Sequence, residues 1–176
     1  MTEMPQKRAA SLQIFLPGTI GLKSKAGDLK PGQAKIPHRA ILEEISTDPT
    51  AGRSIAEIYR QDVLPAKTRT IPLLGRKTSA KIIHSLLGYE VQASYKRIHC
   101  PDLVTARYLK LFTELGCRRI RLPYDPTLTE ELIPELESAQ ERLIKGIRGL
   151  FPKSRPLQVY VLQNVYSLVR SQLRAD

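Results

Sequence analysis

The pattern of apolar and polar positions is clearest in the second half of the chain. Tyr89, Val91, Ala93 and Tyr95 alternate with Glu90, Gln92, Ser94 and Lys96, the period-2 signature of a strand. The period then lengthens. Val104, Tyr108, Leu111, Phe112 and Leu115 recur at helical spacing, with Pro101 at the first turn and Gly116 at the end. Ile120 and Leu122 alternate with Arg119 and Arg121, a second strand stopped by Pro123. Thr127 and Glu130 fit a capping box, and the helix behind them runs to about Leu150 through Leu132, Leu136, Leu143 and Ile147, with Pro134 marking a kink or a later start. Its acids lie early and Arg142, Lys145 and Arg148 late, as the helix dipole favours. Leu157, Val159 and Val161 predict a last strand, and Asn164 is expected to cap a final helix that turns Val165, Leu168, Val169 and Leu173 inward.

The first half reads as helices and loops. Ala40, Ile41, Glu44 and Ile45 predict a short helix ended by Asp48-Pro49, and Ile55, Ile58, Tyr59 and Val63 a second, over Ser54 to Leu64, ended by Pro65. Residues 66–77 form a basic connection, after which Thr78 is expected to cap a third helix with Ile82, Ile83, Leu86 and Leu87 as its apolar stripe and Gly88 as its stop. Leu12, Ile14 and Leu16 suggest one edge strand ended by Pro17-Gly18. Residues 17–37, rich in Gly and Pro with Lys23, Lys25, Lys30 and Lys35 between them, read as a flexible basic arm or a long loop. The expected fold is α+β, with α/β as the alternative: a small sheet covered by helices, strand and helix alternating in the C-terminal half, and a helical N-terminal half. Residues 1–37 form the arm, and 38–176 a single compact domain.

Charge changes this picture most. The formal net charge is +11, unevenly spread: residues 61–99 hold seven Lys/Arg against two acids, and 126–144 five Glu against one Arg. A chain polarised in this way has a basic side that attracts polyanions. The five Glu are expected to form a solvated helix face. Two cysteines, Cys100 and Cys117, without a pairing pattern suit a reducing compartment, and the expected location is the cytoplasm. The apolar run Leu12 to Leu16 is too short for a signal peptide or a membrane span, and no apolar stretch of about 18 residues stands elsewhere, so no membrane partner is expected.

Ile71 to Ile83, IPLLGRKTSAKII, is the segment richest in candidate chemistry. A helix N-terminus beside Arg76, Lys77, Thr78 and Ser79 would bring free N–H groups and cations to an anion. The segment resembles the hairpin of helix-hairpin-helix DNA-binding motifs. Gly75 matches the second glycine, Ala80 and Ile83 match the packed helix positions, and Leu73 replaces the first glycine. The resemblance implies backbone contact with a DNA phosphate. A phosphate-loop reading fails, because Arg76 and Ile71 stand where that motif needs glycines. A further alternative makes 79–98 a helix-turn-helix, with Gly88 in the turn and Tyr95 to Ile98 late in the recognition helix. With 89–98 as a strand, Gln92, Ser94 and Lys96 form its polar face. Pairing with the 117–122 strand would then merge them with Arg119 and Arg121 into one basic surface. Tyr89 and Tyr95 are expected in the core, with base stacking as their alternative role.

No metal or cofactor is expected: His84, His99, Cys100 and Cys117 lack ligand spacing. Asp102 and Asp125 are the only carboxylate pair a nuclease could use, and nothing in their spacing requires them to converge. The expected function is therefore nucleic-acid binding, DNA or RNA, without catalysis. Contacts would come from Lys67, Arg69, Arg76, Lys77, Thr78, Lys81, Lys96, Arg97, Arg119 and Arg121. The alternative is an interaction or assembly factor whose basic face docks an acidic protein.

Overall fold

The computed structural model describes residues 38–46 and 52–173. The arm 1–37, its edge strand and the Asp48-Pro49 stop lie outside them. The described residues form an α+β fold in the order α1 (His38–Ser46), α2 (Ile55–Ile58) with a π-helical turn (Tyr59–Val63), β1 (Thr68–Pro72), β2 (Ala80–Ser85), β3 (Gly88–Ala93), β4 (Lys96–Cys100), α3 (Leu103–Leu115), β5 (Arg119–Pro123), α4 (Pro126–Leu150) and α5 (Arg155–Leu173). All strand pairing is antiparallel. β2, β3 and β4 make a meander, and β1 pairs with β5 in a separate ribbon.

Helix α3 is the centre of the core. Tyr108, Leu109, Phe112 and Leu115 are buried on it, and it packs against the meander on one side and α4 and α5 on the other. Asp102 starts it by accepting from the Thr105 N–H and hydroxyl (2.6 and 3.0 Å), and Gly116 ends it in the left-handed region at φ 82°. The Tyr108 hydroxyl donates to the Arg121 carbonyl (2.8 Å), while the Arg121 N–H donates to the Tyr59 hydroxyl (3.1 Å). Two tyrosines thus seal the edge of β5 that β1 leaves free.

Several expectations are corrected. Residues 78–88 are not a helix. Ile82 pairs with Val91 across the meander and faces α3, and Leu86 and Leu87 are exposed at the tip of a two-residue turn closed by Ser85 and Gly88. The β-branched pair Ile82-Ile83 suits this ladder better than a helix. With no helix there and no turn glycine between helices, both the helix-hairpin-helix resemblance and the helix-turn-helix reading fall. Part of the basic connection 66–77 is strand β1. The alternation from Tyr89 does mark a strand, but a two-residue turn at Ser94-Tyr95 breaks it into β3 and β4, with Ser94 at φ 56°. Leu157, Val159 and Val161 lie in helix α5, not a strand. Leu157, Val161, Val165 and Val169 repeat every fourth residue and are buried, and Val159 points outward. Asn164 is inside this helix and donates to the Tyr160 carbonyl (3.0 Å). The cap of α4 is Asp125, which accepts from the Thr127 N–H (2.9 Å), in place of a Thr127–Glu130 box.

The acidic face of α4 is only partly solvated. Glu135 takes two hydrogen bonds from Arg53 (2.8 and 2.6 Å), and Glu137 pairs with Arg107. Arg53 also pairs with Asp62 (2.7 Å), and Arg142 donates to the Arg53 carbonyl (2.7 Å), tying α2 and its π turn to α4. The hydrogen bonds from Arg53 hold the Glu135 carboxyl below its ordinary value of 4.5. A depressed carboxyl stabilises the fold fully above the unfolded value and loses that contribution as pH falls through the folded one. Glu135→Gln is therefore expected to lower stability by up to about 1 kcal/mol at pH 7 and by progressively less as pH drops below 4.5, read from urea unfolding across that range.

Candidate nucleic-acid interface

Residues 66–123 hold twelve Lys/Arg against three acids, so nearly all of the net charge of the molecule resides on the two sheets and α3. On the β1–β5 ribbon, Thr70 faces Arg121 and Pro72 faces Arg119 in register. Residues 68, 70 and 72 therefore share a face with 119, 121 and 123, while Ile71, Ile120 and Leu122 turn toward the core. Arg119 and Arg121 are exposed on the outer side, and neither is paired with a carboxylate among the described residues.

Beyond Pro72 the chain keeps to β5 without regular pairing. The Leu73 N–H donates to the Arg118 carbonyl (2.8 Å) and the Gly75 N–H to the Cys117 carbonyl (3.0 Å). The Arg76–Lys77 backbone then crosses directly over Gly116, where a Cβ would stand 2.6 Å from the Lys77 nitrogen. This crossing delivers Arg76 to the β3–β4 turn. Its guanidinium donates to the Ser94 hydroxyl (3.2 Å) and lies 5.4 Å from the centre of the Tyr95 ring. The Lys96 ammonium donates to the Pro72 carbonyl (3.0 Å). Lys96 and Arg119 thus meet at Pro72, Arg76 stands at the adjoining Ser94–Tyr95 turn, and Arg121 is next along the ribbon. The far end repeats the combination, with the Lys67 ammonium 5.8 Å from the Tyr124 ring.

Tyr95 is 81% exposed and Tyr124 58%, so Tyr95 is not a core residue. The turn at Ser94 displaces it from the inward row that Val91 and Ala93 occupy. Tyr89 is half-buried beside the His84 ring.

The remaining predicted residues divide. Lys96 and Gln92 do not share a face. Ala93 pairs with Lys96, so the turn shifts the parity and puts Arg97 beside Gln92 and Lys81 on the outer face of the meander. Arg97 there lies 3.7 Å from Glu90, which offsets its charge. Nor do the meander and β5 merge into one sheet: among the described residues β5 pairs with β1 alone. The two sheets approach through the side chains of Arg76 and Lys96 instead. Arg69 is exposed at the ribbon opposite Leu122, and Thr78 is a loop residue whose hydroxyl reaches the Ser79 carbonyl (3.4 Å). Lys77 sits 5.0 Å from the Tyr166 ring, and burial, then the nearby Arg170, push its ammonium below the ordinary lysine value.

Two residues outside the predicted contacts, Arg118 and Arg170, complete the basic surface. Arg118 and the predicted Arg119 border two clefts. One, of about 450 Å³, runs along Thr70, Pro72, Leu73 and Leu74. The other, of about 320 Å³, lies against Tyr59, Cys117, Ile120, Arg170 and Leu173. Arg170 comes from α5 and donates to the Leu115 carbonyl at the end of α3 (2.5 Å). It lies 49 positions beyond Arg121, the nearest predicted contact residue, so no local cluster in the sequence signals it.

Asp102 and Asp125 are spent as helix caps. Among the described residues, no group of three or more His, Cys, Asp or Glu side chains could hold a metal ion, and no helix is long and apolar enough to cross a membrane. Cys100 is fully buried, and burial raises its thiol to about 11, which keeps it protonated and unreactive near neutral pH. Comparison with family models, curated proteins and solved structures returns no match to this chain.

Gly116→Ala tests the crossing. The substitution places a methyl group at φ 82° and 2.6 Å from the Lys77 nitrogen. A stability loss of about 2–4 kcal/mol in urea unfolding is expected.

Proposed function

We propose that the protein binds nucleic acid, without catalysis, along the outer face of the β1–β5 ribbon and the β3–β4 turn. The observation that carries this reading is the row of uncompensated cations, Arg76, Lys96, Arg119 and Arg121, bracketed by the exposed rings of Tyr95 and Tyr124. Cations spaced along a strand neutralise successive phosphates, and an exposed ring offers a stacking platform to any base. Five residues of strand span roughly 17 Å, the reach of a few nucleotides of extended single strand. A single-stranded substrate suits this face best. Its bases are free to meet Tyr95 and Tyr124, whereas in a duplex they are stacked inside.

On α4, Glu135 and Glu137 are engaged by Arg53 and Arg107 within the molecule, which leaves fewer of its carboxylates for contacts with another protein.

Fluorescence anisotropy with labelled single-stranded DNA, single-stranded RNA and duplex DNA tests the reading. Four phosphate contacts predict a log–log salt slope near −2.8 and about a 50-fold loss of single-strand affinity between about 50 and 200 mM salt. Arg119→Gln with Arg121→Gln should flatten that slope by about 1.4, and Tyr95→Ala should cost about 1–3 kcal/mol of binding, with Tyr95→Phe restoring it. Lys145→Gln, on the exposed side of α4 beside Glu141, should change neither. Binding indifferent to Arg119, Arg121 and Tyr95 would remove the ribbon from the interface and turn attention to an acidic protein partner.

A further inference from the structure

The cleft between the α3–β5 corner and α5 is built differently from the open ribbon. Three guanidinium groups border it, Arg118 and Arg119 from the start of β5 and Arg170 from α5, and among the described residues no carboxylate lines it. Its apolar walls are Tyr59, Ile120 and Leu173, and Cys117 closes one side. At about 320 Å³ it reaches the lower end of small-ligand sites, which run to roughly 300–1,000 Å³.

One guanidinium group is fastened and one stem is packed. Arg170 is fastened by its bond to the Leu115 carbonyl (2.5 Å), which leaves its other N–H groups free. The stem of Arg118 lies over Gly75, so close that a Cβ there would meet it at 2.6 Å. Its head has no hydrogen-bond or ion-pair partner among the described residues. Lys77 adds a fourth positive charge beside Arg170, packed over the Tyr166 ring. Cations brought together with no counter-charge among the described residues repel one another, and a compact, multiply charged anion relieves that repulsion. Arginine forks match the oxygens of a phosphate group, and the fastened Arg170 and packed Arg118 stem reduce the ordering cost of forming those bonds.

We propose that this cleft receives a phosphomonoester group, held by Arg118, Arg119 and Arg170. The inference rests in part on the nucleic-acid reading. Arg119 borders both this cleft and the trough beside Pro72, so a strand laid along the ribbon would place a terminal phosphate here. A free mononucleotide carries the same chemistry.

The test pairs two ligand sizes. Anisotropy compares a single strand of ~12 nucleotides bearing a 5′-phosphate with the same strand ending in a 5′-hydroxyl. Calorimetry measures inorganic phosphate, adenosine 5′-monophosphate and adenosine. The phosphorylated strand should bind about tenfold tighter, as one charge-assisted contact set predicts. Arg118→Gln should abolish that preference and Arg118→Lys should restore part of it. Arg121→Gln, outside the cleft, should weaken both strands equally. Equal binding of the two strands, with neither inorganic phosphate nor the monophosphate bound, would overturn the cleft and leave the ribbon reading standing. A preference that survives Arg118→Gln in a folded protein would overturn it as well. Arg118-dependent binding of the monophosphate with no strand bound would keep the cleft, name a free mononucleotide as its ligand, and remove the nucleic-acid reading.

Discussion

The arrangement of charge in this molecule depends on one close approach, the passage of the Arg76–Lys77 backbone over Gly116. A Cβ at Gly116 would lie 2.6 Å from the Lys77 nitrogen, so only a glycine in the left-handed region admits the crossing. The same residue caps α3, its N–H reaching the Phe112 and Thr113 carbonyls. One position thus ends the central helix, turns the chain into β5 and lets the loop after β1 lie across the corner. Arg76 then reaches Ser94 and Tyr95, and Lys77 reaches Tyr166. Two sheets that share no ladder are joined there by side chains.

A second constraint fixes β5. Its backbone at Arg121 is held from the core by the hydroxyls of Tyr59 and Tyr108 and from the other side by β1. A strand fixed along both edges presents its outward side chains from a rigid base, which reduces the ordering cost when they meet a ligand. The buried ends of the two tyrosines contribute to the core through Phe112, whose ring lies 5.7 and 4.8 Å from theirs. Stability and the presentation of Arg119 and Arg121 therefore share the same residues.

Opposite charges are sorted by location. Arg53 and Arg107 meet Glu135 and Glu137 on α4, where the pairs tie helices together. Among the described residues the cations at 76, 96, 118, 119 and 121 meet no carboxylate, and the charge they leave uncompensated gives that side of the molecule its field.

Local pattern alone determined much of this. The helical period of Val104 to Leu115 with its Gly116 stop, the alternation of Arg119 to Leu122 and the long helix ending near Leu150 all formed as the spacing predicts, because each pattern places one apolar face toward a core. The α+β class and the concentration of positive charge were legible for the same reason. Tertiary structure decided the ambiguous runs. Ile82, Ile83, Leu86 and Leu87 fit a helical stripe equally well on paper, and became a hairpin because β3 and β4 offer a ladder and α3 covers its inner face. Leu157, Val159 and Val161 alternate over five residues, yet the four-residue repeat through Val169 buries more against α1, α3 and α4. A two-residue turn at Ser94 reversed the face of Lys96 and exposed Tyr95, a shift of parity that no window of sequence records. Arg170 joined Arg118 and Arg119 across more than fifty residues, because a folded corner, and not proximity in the chain, brings their charges together.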